Sequence, residues 1–175
     1  MIPSLDLLLG TLERALEVTI LPSAANAAAK EEASLGVLFV RWLRDVVDHC
    51  ADAERASQAD CRAALADVAA IVAAHRPGAS SAAVARDASQ LLERPAPAEL
   101  GAVREDARRA KALLSRALRA AREDGDDPMA SEIRLRLAEL GAREIERERA
   151  FGRATGMDPD SQTIPTLAEI TRRTR

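Results

Sequence analysis

The feature that most constrains this chain is its supply of side chains for a hydrophobic core. Alanine makes up roughly a fifth of the 175 residues, whereas there are one Trp, two Phe and no Tyr. Alanine has the highest helix propensity, and the leucine, arginine and glutamate that accompany it follow closely. The aromatic residues that favour strands are scarce. The sequence therefore predicts an all-α fold, a bundle of about six helices.

Turn residues and prolines divide the chain into predicted helices. In the first of these, Leu8, Leu12, Leu16 and Val18 have the spacing of one buried face. In the third, Ser57 and Asp60 have the spacing of an N-terminal capping box. The predicted helices cover about 5–20, 24–53, 57–75, 81–94, 97–124 and 127–151, followed by a short one at 167–173.

The distribution of charge suggests a division of the chain. Residues 1–100 contain 9 Lys/Arg and 14 Asp/Glu, whereas residues 101–175 contain 16 and 14. We expect an Ala/Leu-rich four-helix body over 1–94, a charged αα-hairpin over 97–152 and a C-terminal tail over 153–175.

Bulk properties exclude several classes of protein. The net charge of −3 gives no general attraction to nucleic acid or to an anionic membrane. The start has no basic segment typical of a signal peptide, and no apolar run reaches the roughly 18 residues that span a bilayer. Two cysteines do not make a disulfide framework. We therefore expect a soluble cytoplasmic protein that binds neither nucleic acid nor membrane.

The stretch VLFVRWLRDVVDHC, residues 37–50, holds the only Trp and one of the two His. On a helical wheel His49 lies in the apolar sector beside Trp42, and Asp45 lies one turn earlier. One hypothesis makes His49 an acid/base or metal ligand oriented by Asp45. The alternative, which we favour, is a packed histidine at a helix border with one ring nitrogen bonded to Asp45. The aromatic residues, including Phe39, occupy predicted core positions.

Metal and cofactor motifs are missing. The cysteines and histidines lack the short spacings of structural zinc sites. A valine stands three residues before each histidine, so the Glu-x-x-His pairs of di-iron bundles are absent. The glycine-rich phosphate-binding motifs and G-x-S-x-G are absent as well. The sequence predicts no metal site and no cofactor.

The two cysteines lie on apolar helix faces. If the second and third predicted helices form a hairpin around Ala56, Cys50 and Cys61 are equally distant from the turn and are neighbours. Buried reduced thiols are the favoured state in cytoplasm. A redox pair is the alternative.

The predicted helix over 97–124 has two different sides. One side carries a seam of small apolar residues spaced alternately three and four apart, which favours close packing against a helix. The seam runs through Leu100, Val103, Ala107, Ala110, Leu114, Ala117 and Ala121, and its favoured partner is the next helix through Ile133, Leu137, Leu140 and Ile145.

The opposite side of this helix carries a basic stripe. We predict that the stripe contributes to binding a protein partner or a second copy. The favoured alternative is a solvated face paired with acids of the next helix. Nucleic-acid binding would require more positive charge and stacking aromatics. The stripe consists of Arg104, Arg108, Lys111, Arg119 and Arg122.

The C-terminal segment IPTLAEITRRTR combines apolar residues with a basic end. Short segments of this kind dock into a partner's groove, so Ile164, Leu167 and Ile170 are predicted interaction residues. The alternative is that they cover the end of the protein's own bundle.

The opening LDLLLGTLERALEVTILPSA, followed by an Ala-rich helix, resembles a group of small uncharacterised bacterial helical proteins. In these proteins a helix ends at Leu-Pro and a second long helix follows. The resemblance covers about the first 50 residues. Members are often encoded near aminoglycoside-phosphotransferase-like proteins and acyl-CoA dehydrogenases, so it implies an accessory role and brings no catalytic residues.

Two functional hypotheses follow from the sequence. The favoured one is a non-catalytic accessory or interaction protein, possibly a subunit of an enzyme complex, that uses the charged αα-hairpin and the tail. The alternative is a small helical enzyme or ligand-binding protein that uses Asp45 and His49 near Trp42.

Overall fold

A computed structural model describes residues 4–153 and 158–173 of the chain. All regular structure in these residues is helical, which confirms the predicted all-α class. The elements are α1 (Leu5–Arg14), a π-helical segment (Ala15–Ile20), α2 (Leu21–Ser23), α3 (Ala27–Val47), α4 (Cys50–Ala74), α5 (Ala79–Glu93), α6 (Leu100–Glu123), α7 (Asp127–Gly152) and α8 (Leu167–Arg173).

The N-terminal helices form a hairpin. The Ser4 side chain caps α1 by accepting the amide of Leu7 at 3.2 Å. The following segment is wound with i to i+5 bonds up to Leu21. The Asn26 side chain caps α3 by accepting the amide of Ala29 at 2.9 Å. Helix α1 then packs against α3.

The predicted helix over 24–53 is wrong, because two helices occupy this range. Helix α3 ends at Val47. In the turn before α4 the amide N of His49 donates to the carbonyl O of Val46 at 3.0 Å. No glycine or proline marks this turn, so the apolar pattern runs through it without interruption.

The capping box predicted at Ser57 and Asp60 is also wrong, since α4 continues through both residues. Their side chains instead contact α7. The Ser57 hydroxyl donates to Glu144 at 3.4 Å, and Asp60 accepts from Arg143 at 3.1 Å.

The start of α5 is fixed by a carboxylate from the end of α6. Asp124 accepts the amides of Ser80 and Ser81 at 3.3 and 2.8 Å. The hydroxyl and amide of Ser81 lower the pKa of Asp124. A Cβ on Gly78 would lie 2.3 Å from Asp124 Cγ, so only glycine leaves room for this cap. Gly125 has a φ of 74° and supplies the left-handed turn that leads to α7.

The chain groups into two compact units, Ala51–Ile145 and the combination of Met1–Cys50 with Glu146–Arg175. The predicted division into a body over 1–94, a charged αα-hairpin over 97–152 and a tail over 153–175 stays a prediction.

The unit Ala51–Ile145 contains a hydrophobic core shared by α4, α5, α6 and α7. The predicted α6 seam is buried in it, from Val103 to Ala121, together with Ile133 and Leu140. Leu137 packs against this core, whereas Ile145 is exposed. The prediction that this side of α6 is buried is therefore correct over most of its length.

A buried polar network links three helices of this unit. Arg62 on α4 bonds to Asp106 on α6 at 3.1 Å, and Gln58 donates to the same carboxylate at 2.7 Å. Arg62 also donates to backbone carbonyl groups at the end of α5, where no further helical turn supplies amide donors. The carbonyl groups are those of Leu91, Leu92 and Arg94.

Candidate interaction surfaces

The structure does not bring Asp45 and His49 together. Helix α3 ends between them, so they are not one helical turn apart on a continuous face. Within the described residues, no hydrogen bond or ion pair joins the two side chains. Asp45 Oδ2 is buried and accepts no hydrogen bond. Both hypotheses for His49 depended on an Asp45 contact that is therefore absent from this geometry.

Trp42 has a structural contact within its own unit. Its indole Nε1 donates to the carbonyl O of Phe151 at 2.7 Å, which ties α3 to the end of α7. Its ring lies 5.4 Å from the ring of Phe39. Phe39 itself is 58% exposed, so the prediction that it is a core residue is wrong.

The predicted hairpin around Ala56 does not exist, and the cysteines do not face each other across it. Helix α4 carries both Cys50 and Cys61, and 11 residues of α-helix rise about 16 Å. Neither thiol is part of a disulfide bond. Cys61 is completely buried, with its Sγ 4.0 Å from Glu144 Oε1. The hypothesis of a redox pair loses its geometric basis.

The basic stripe on α6 is partly neutralised by acids. Arg104 pairs with Glu54 on α4 at 3.0 Å, and Lys111 pairs with Glu144 on α7 at 2.5 Å. Arg108 pairs with a glutamate one turn away on its own helix. This part of the stripe agrees with the alternative of a solvated, acid-paired face.

Two members of the stripe remain without an ion pair within the described residues, namely Arg119 and Arg122, and both are exposed. Arg119 lies at the edge of a groove between α5 and α6, which has two adjoining clefts of about 300 and 400 Å³. Arg116 lines both clefts and pairs with Asp87 at 3.0 Å. Sequence reasoning missed this groove, although Arg109 and Arg116 stand seven residues apart on one face of α6.

The predicted interaction residues of the C-terminal segment are buried. Ile164, Leu167 and Ile170 are only 6%, 1% and 6% exposed. Thr166 and Glu169 form a capping box at the start of α8, with Glu169 accepting the amide of Thr166 at 2.7 Å. These bonds lower the pKa of Glu169. The segment therefore covers part of the chain itself, and its three apolar side chains do not belong to an interaction surface.

Helix α1 has an apolar face that the described chain leaves about half exposed. None of its residues is buried. Leu5, Leu8 and Leu12, at positions i, i+3 and i+7, are 50%, 51% and 47% exposed, and Val18 is 64% exposed. The prediction that this face is buried is therefore wrong, and only Leu16 is half-buried, beside Gly36.

The charged side of α1, rather than its apolar side, packs against α3. Glu13 accepts from Arg41 at 2.7 Å and from Arg44 at 2.6 Å. Hydrogen bonds from Arg41 and then Arg44 lower the pKa of Glu13. Asp6 adds a second bond to Arg44 at 3.0 Å, and Glu17 bonds to Arg41 at 2.8 Å. The hairpin thus has partly exposed ion pairs beside its helix contact and leaves Leu5, Leu8 and Leu12 about half exposed.

Exposed apolar surface is concentrated in this hairpin. Among the described residues, eleven large hydrophobic side chains are exposed, and nine of them lie between residues 5 and 39. A monomeric protein rarely exposes a contiguous apolar patch of more than a few hundred Å², and larger patches mark interaction sites. The nine are Leu5, Leu7, Leu8, Leu12, Val18, Ile20, Leu35, Leu38 and Phe39.

Two other types of site are absent from residues 4–153 and 158–173. None of their helices combines the length and the apolar character needed to cross a membrane. These residues also contain no group of three or more His, Cys, Asp or Glu side chains arranged to hold a metal ion.

Comparisons with known proteins returned no matching family model, no matching curated protein and no matching solved structure.

Proposed function

We propose that this protein is a non-catalytic accessory protein that acts by binding another protein, or a second copy of itself, through exposed helix surfaces. The principal surface is the apolar face of the N-terminal hairpin. The favoured hypothesis from the sequence is kept in its general form, but the principal surface moves from the charged αα-hairpin and the C-terminal segment to α1 and α3.

The observation that carries the proposal is the exposure of Leu5, Leu8 and Leu12 on a helix with no buried residue. Full burial of a leucine side chain stabilises by about 2 to 3 kcal/mol. Each half-exposed leucine therefore leaves roughly 1 kcal/mol unrealised until something covers it. Three such residues on one stripe favour a protein contact, because exposed leucines are usually scattered singly.

The α5–α6 groove provides a second, electrostatic contribution to binding. Its two clefts are lined by four arginines and two acids, so its charge is positive. Rim charges of this kind accelerate association with an acidic partner and add little affinity. Its lining arginines are Arg94, Arg109, Arg116 and Arg119.

A quantitative pull-down from cells that naturally contain the protein tests the proposal. Wild type is compared with Leu8→Arg/Leu12→Arg and with the control Leu135→Arg/Ile145→Arg. The control removes two hydrophobic residues of similar exposure, 60% and 59%, and adds the same charge. We expect the α1 variant to lose a partner, or tagged copies of itself, that wild type and control retain. Equal recovery with all three proteins would contradict the proposal.

The alternative of an enzyme or ligand-binding bundle centred on Asp45 and His49 is not proposed further. Its geometric basis was a continuous helix through both residues, and α3 ends between them.

A further inference from the structure

We infer that two copies of this chain pair through α1, antiparallel and about a two-fold axis. The inference rests on the proposed function and names the partner of the same surface. The pairing stripe is Leu5, Leu8 and Leu12, with Leu9 at its edge.

The charge distribution of α1 matches this partner. At 100° per residue, its three charged residues Asp6, Glu13 and Arg14 fall within a sector of about 100°. Asp6 and Glu13 already bond to arginines of α3. The remaining surface of the helix has no charge, so a charged partner surface would lose its hydration without gaining an ion pair. An equally apolar, uncharged helix face suits it, and the same face of a second α1 is such a surface.

The spacing of the leucines is self-complementary. In a two-fold pair, residue i contacts residue j of the second copy, and j contacts i in return. With the axis between Leu8 and Leu9, Leu5 faces Leu12 of the second copy and Leu8 faces Leu9 of the second copy. Asp6 then faces Thr11, and Glu13 and Arg14 lie beyond the overlap. The pairs formed by the stripe are leucine with leucine, and no like charges face each other.

The exposed area of the stripe fits a weak dimer. Leu5, Leu8 and Leu12 are 50%, 51% and 47% exposed. Full burial of one such side chain removes on the order of 100 Å² of surface from water, so the three supply about 150 Å² per copy. Since interfaces are about 60% apolar, this corresponds to about 500 Å² in a pair, the size of a weak, transient contact. We therefore expect a dissociation constant of about 100 μM.

Sedimentation velocity of the full chain between about 1 and 500 μM tests the inference. Wild type should pass from a monomer of 18.7 kDa to a species of about twice that mass. Leu8→Glu should remain monomeric throughout the range, and the control Leu135→Glu, altered at an equally exposed leucine of α7, should dimerise like wild type. Circular dichroism of each variant confirms that helicity is retained.

Disulfide cross-linking tests the register of the pair without introducing a charged side chain into the stripe. In a Cys50→Ala background, Leu5→Cys and Leu12→Cys chains are mixed and oxidised, and Cys61 stays inaccessible in the core. The mixed 5–12 disulfide should form several-fold faster than either homodimeric disulfide. A faster 5–5 or 12–12 disulfide would overturn the antiparallel register.

The failure of this inference is distinguishable from the failure of the proposed function. Wild type that stays monomeric at 500 μM, or Leu8→Glu that dimerises like wild type, overturns the two-fold dimer. If the pull-down still recovers a different protein that Leu8→Arg/Leu12→Arg loses, the proposed function stands and α1 binds that protein instead.

Discussion

The two compact units use the same kinds of residue in opposite ways. In Ala51–Ile145, apolar side chains of four helices converge on a core, and among the described residues of this unit only two large hydrophobic side chains are exposed. In the N-terminal hairpin, ion pairs occupy the helix contact and nine large hydrophobic side chains are exposed. An Ala/Leu-rich helix therefore does not by itself determine which of its sides is buried.

The difference has an energetic consequence. Burial of apolar surface is the dominant stabilising contribution to folding, whereas exposed ion pairs contribute about 0 to 1 kcal/mol each. The unit Ala51–Ile145 is expected to be stable through its own core. The hairpin depends on ion pairs and on whatever covers its leucines. The following predictions test this contrast, from the largest expected effect to the smallest.

The largest effect is expected from Arg62→Ala. The substitution leaves Asp106, 11% exposed, without its cation and removes the caps on the α5 carbonyl groups. Removing one partner of a buried pair costs about 3 to 5 kcal/mol. Urea denaturation at low protein concentration measures this. Arg108→Ala, which breaks a pair whose arginine is 72% exposed, is the control and should change stability by less than about 0.5 kcal/mol. Equal losses would contradict the contrast.

A matched pair of leucine truncations compares the two regions directly. Leu114→Ala removes a side chain that is 1% exposed and should lower the free energy of unfolding by about 3 kcal/mol. Leu8→Ala removes a side chain that is 51% exposed and should cost the monomer less than about 1 kcal/mol. A loss above about 2 kcal/mol for Leu8→Ala, measured where the protein is monomeric, would indicate that α1 is buried in solution.

A smaller effect is expected at Glu13, and it depends on pH. Hydrogen bonds from Arg41 and Arg44 hold its pKa below the ordinary value, so its contribution is present above about pH 4.5 and is lost as pH falls through the lowered pKa. Glu13→Gln should therefore destabilise the protein by less than about 1 kcal/mol near pH 7 and by nothing at strongly acidic pH. Thermal unfolding at both pH values checks this. If Glu13→Gln were still less stable than wild type at strongly acidic pH, the ion pairs of Glu13 would not be the cause of the loss.

The smallest effect is expected from Asp45→Ala/His49→Ala. Asp45 Oδ2 is buried and accepts no hydrogen bond, so removing this oxygen breaks no hydrogen bond. We expect self-association and partner recovery to equal those of wild type in the sedimentation and pull-down experiments. If a folded double variant lost self-association or partner recovery, Asp45 and His49 would have to belong to the functional surface.

The sequence predicted the helices well where proline or glycine marks their ends. Predicted bounds of 81–94 and 127–151 compare with Ala79–Glu93 and Asp127–Gly152. The turn at Asp48 and His49 was missed because it has neither residue, and the apolar pattern continues across it. Proline and glycine therefore predict helix ends correctly. A helix end that has neither residue is not visible in the sequence pattern.

The candidate site was predicted less well, for a physical reason. The spacing of Leu8 and Leu12 identifies an apolar face, but spacing does not show what covers that face. The contacts of Glu13 with Arg41 and Arg44 turn this face outward, and they join residues 28 and 31 positions apart. The prediction for the C-terminal segment was wrong in the opposite way. Leu167 was predicted to lie on an interaction surface, and it is buried.

Hydrogen–deuterium exchange as a function of protein concentration tests the central claim most directly. Exchange is followed peptide by peptide at about 1 and 500 μM. The account predicts that amides of residues 5–20 exchange several-fold more slowly at the high concentration, while those in α4 to α6 do not change. Identical exchange of residues 5–20 at both concentrations would contradict the pairing of α1 with a second copy.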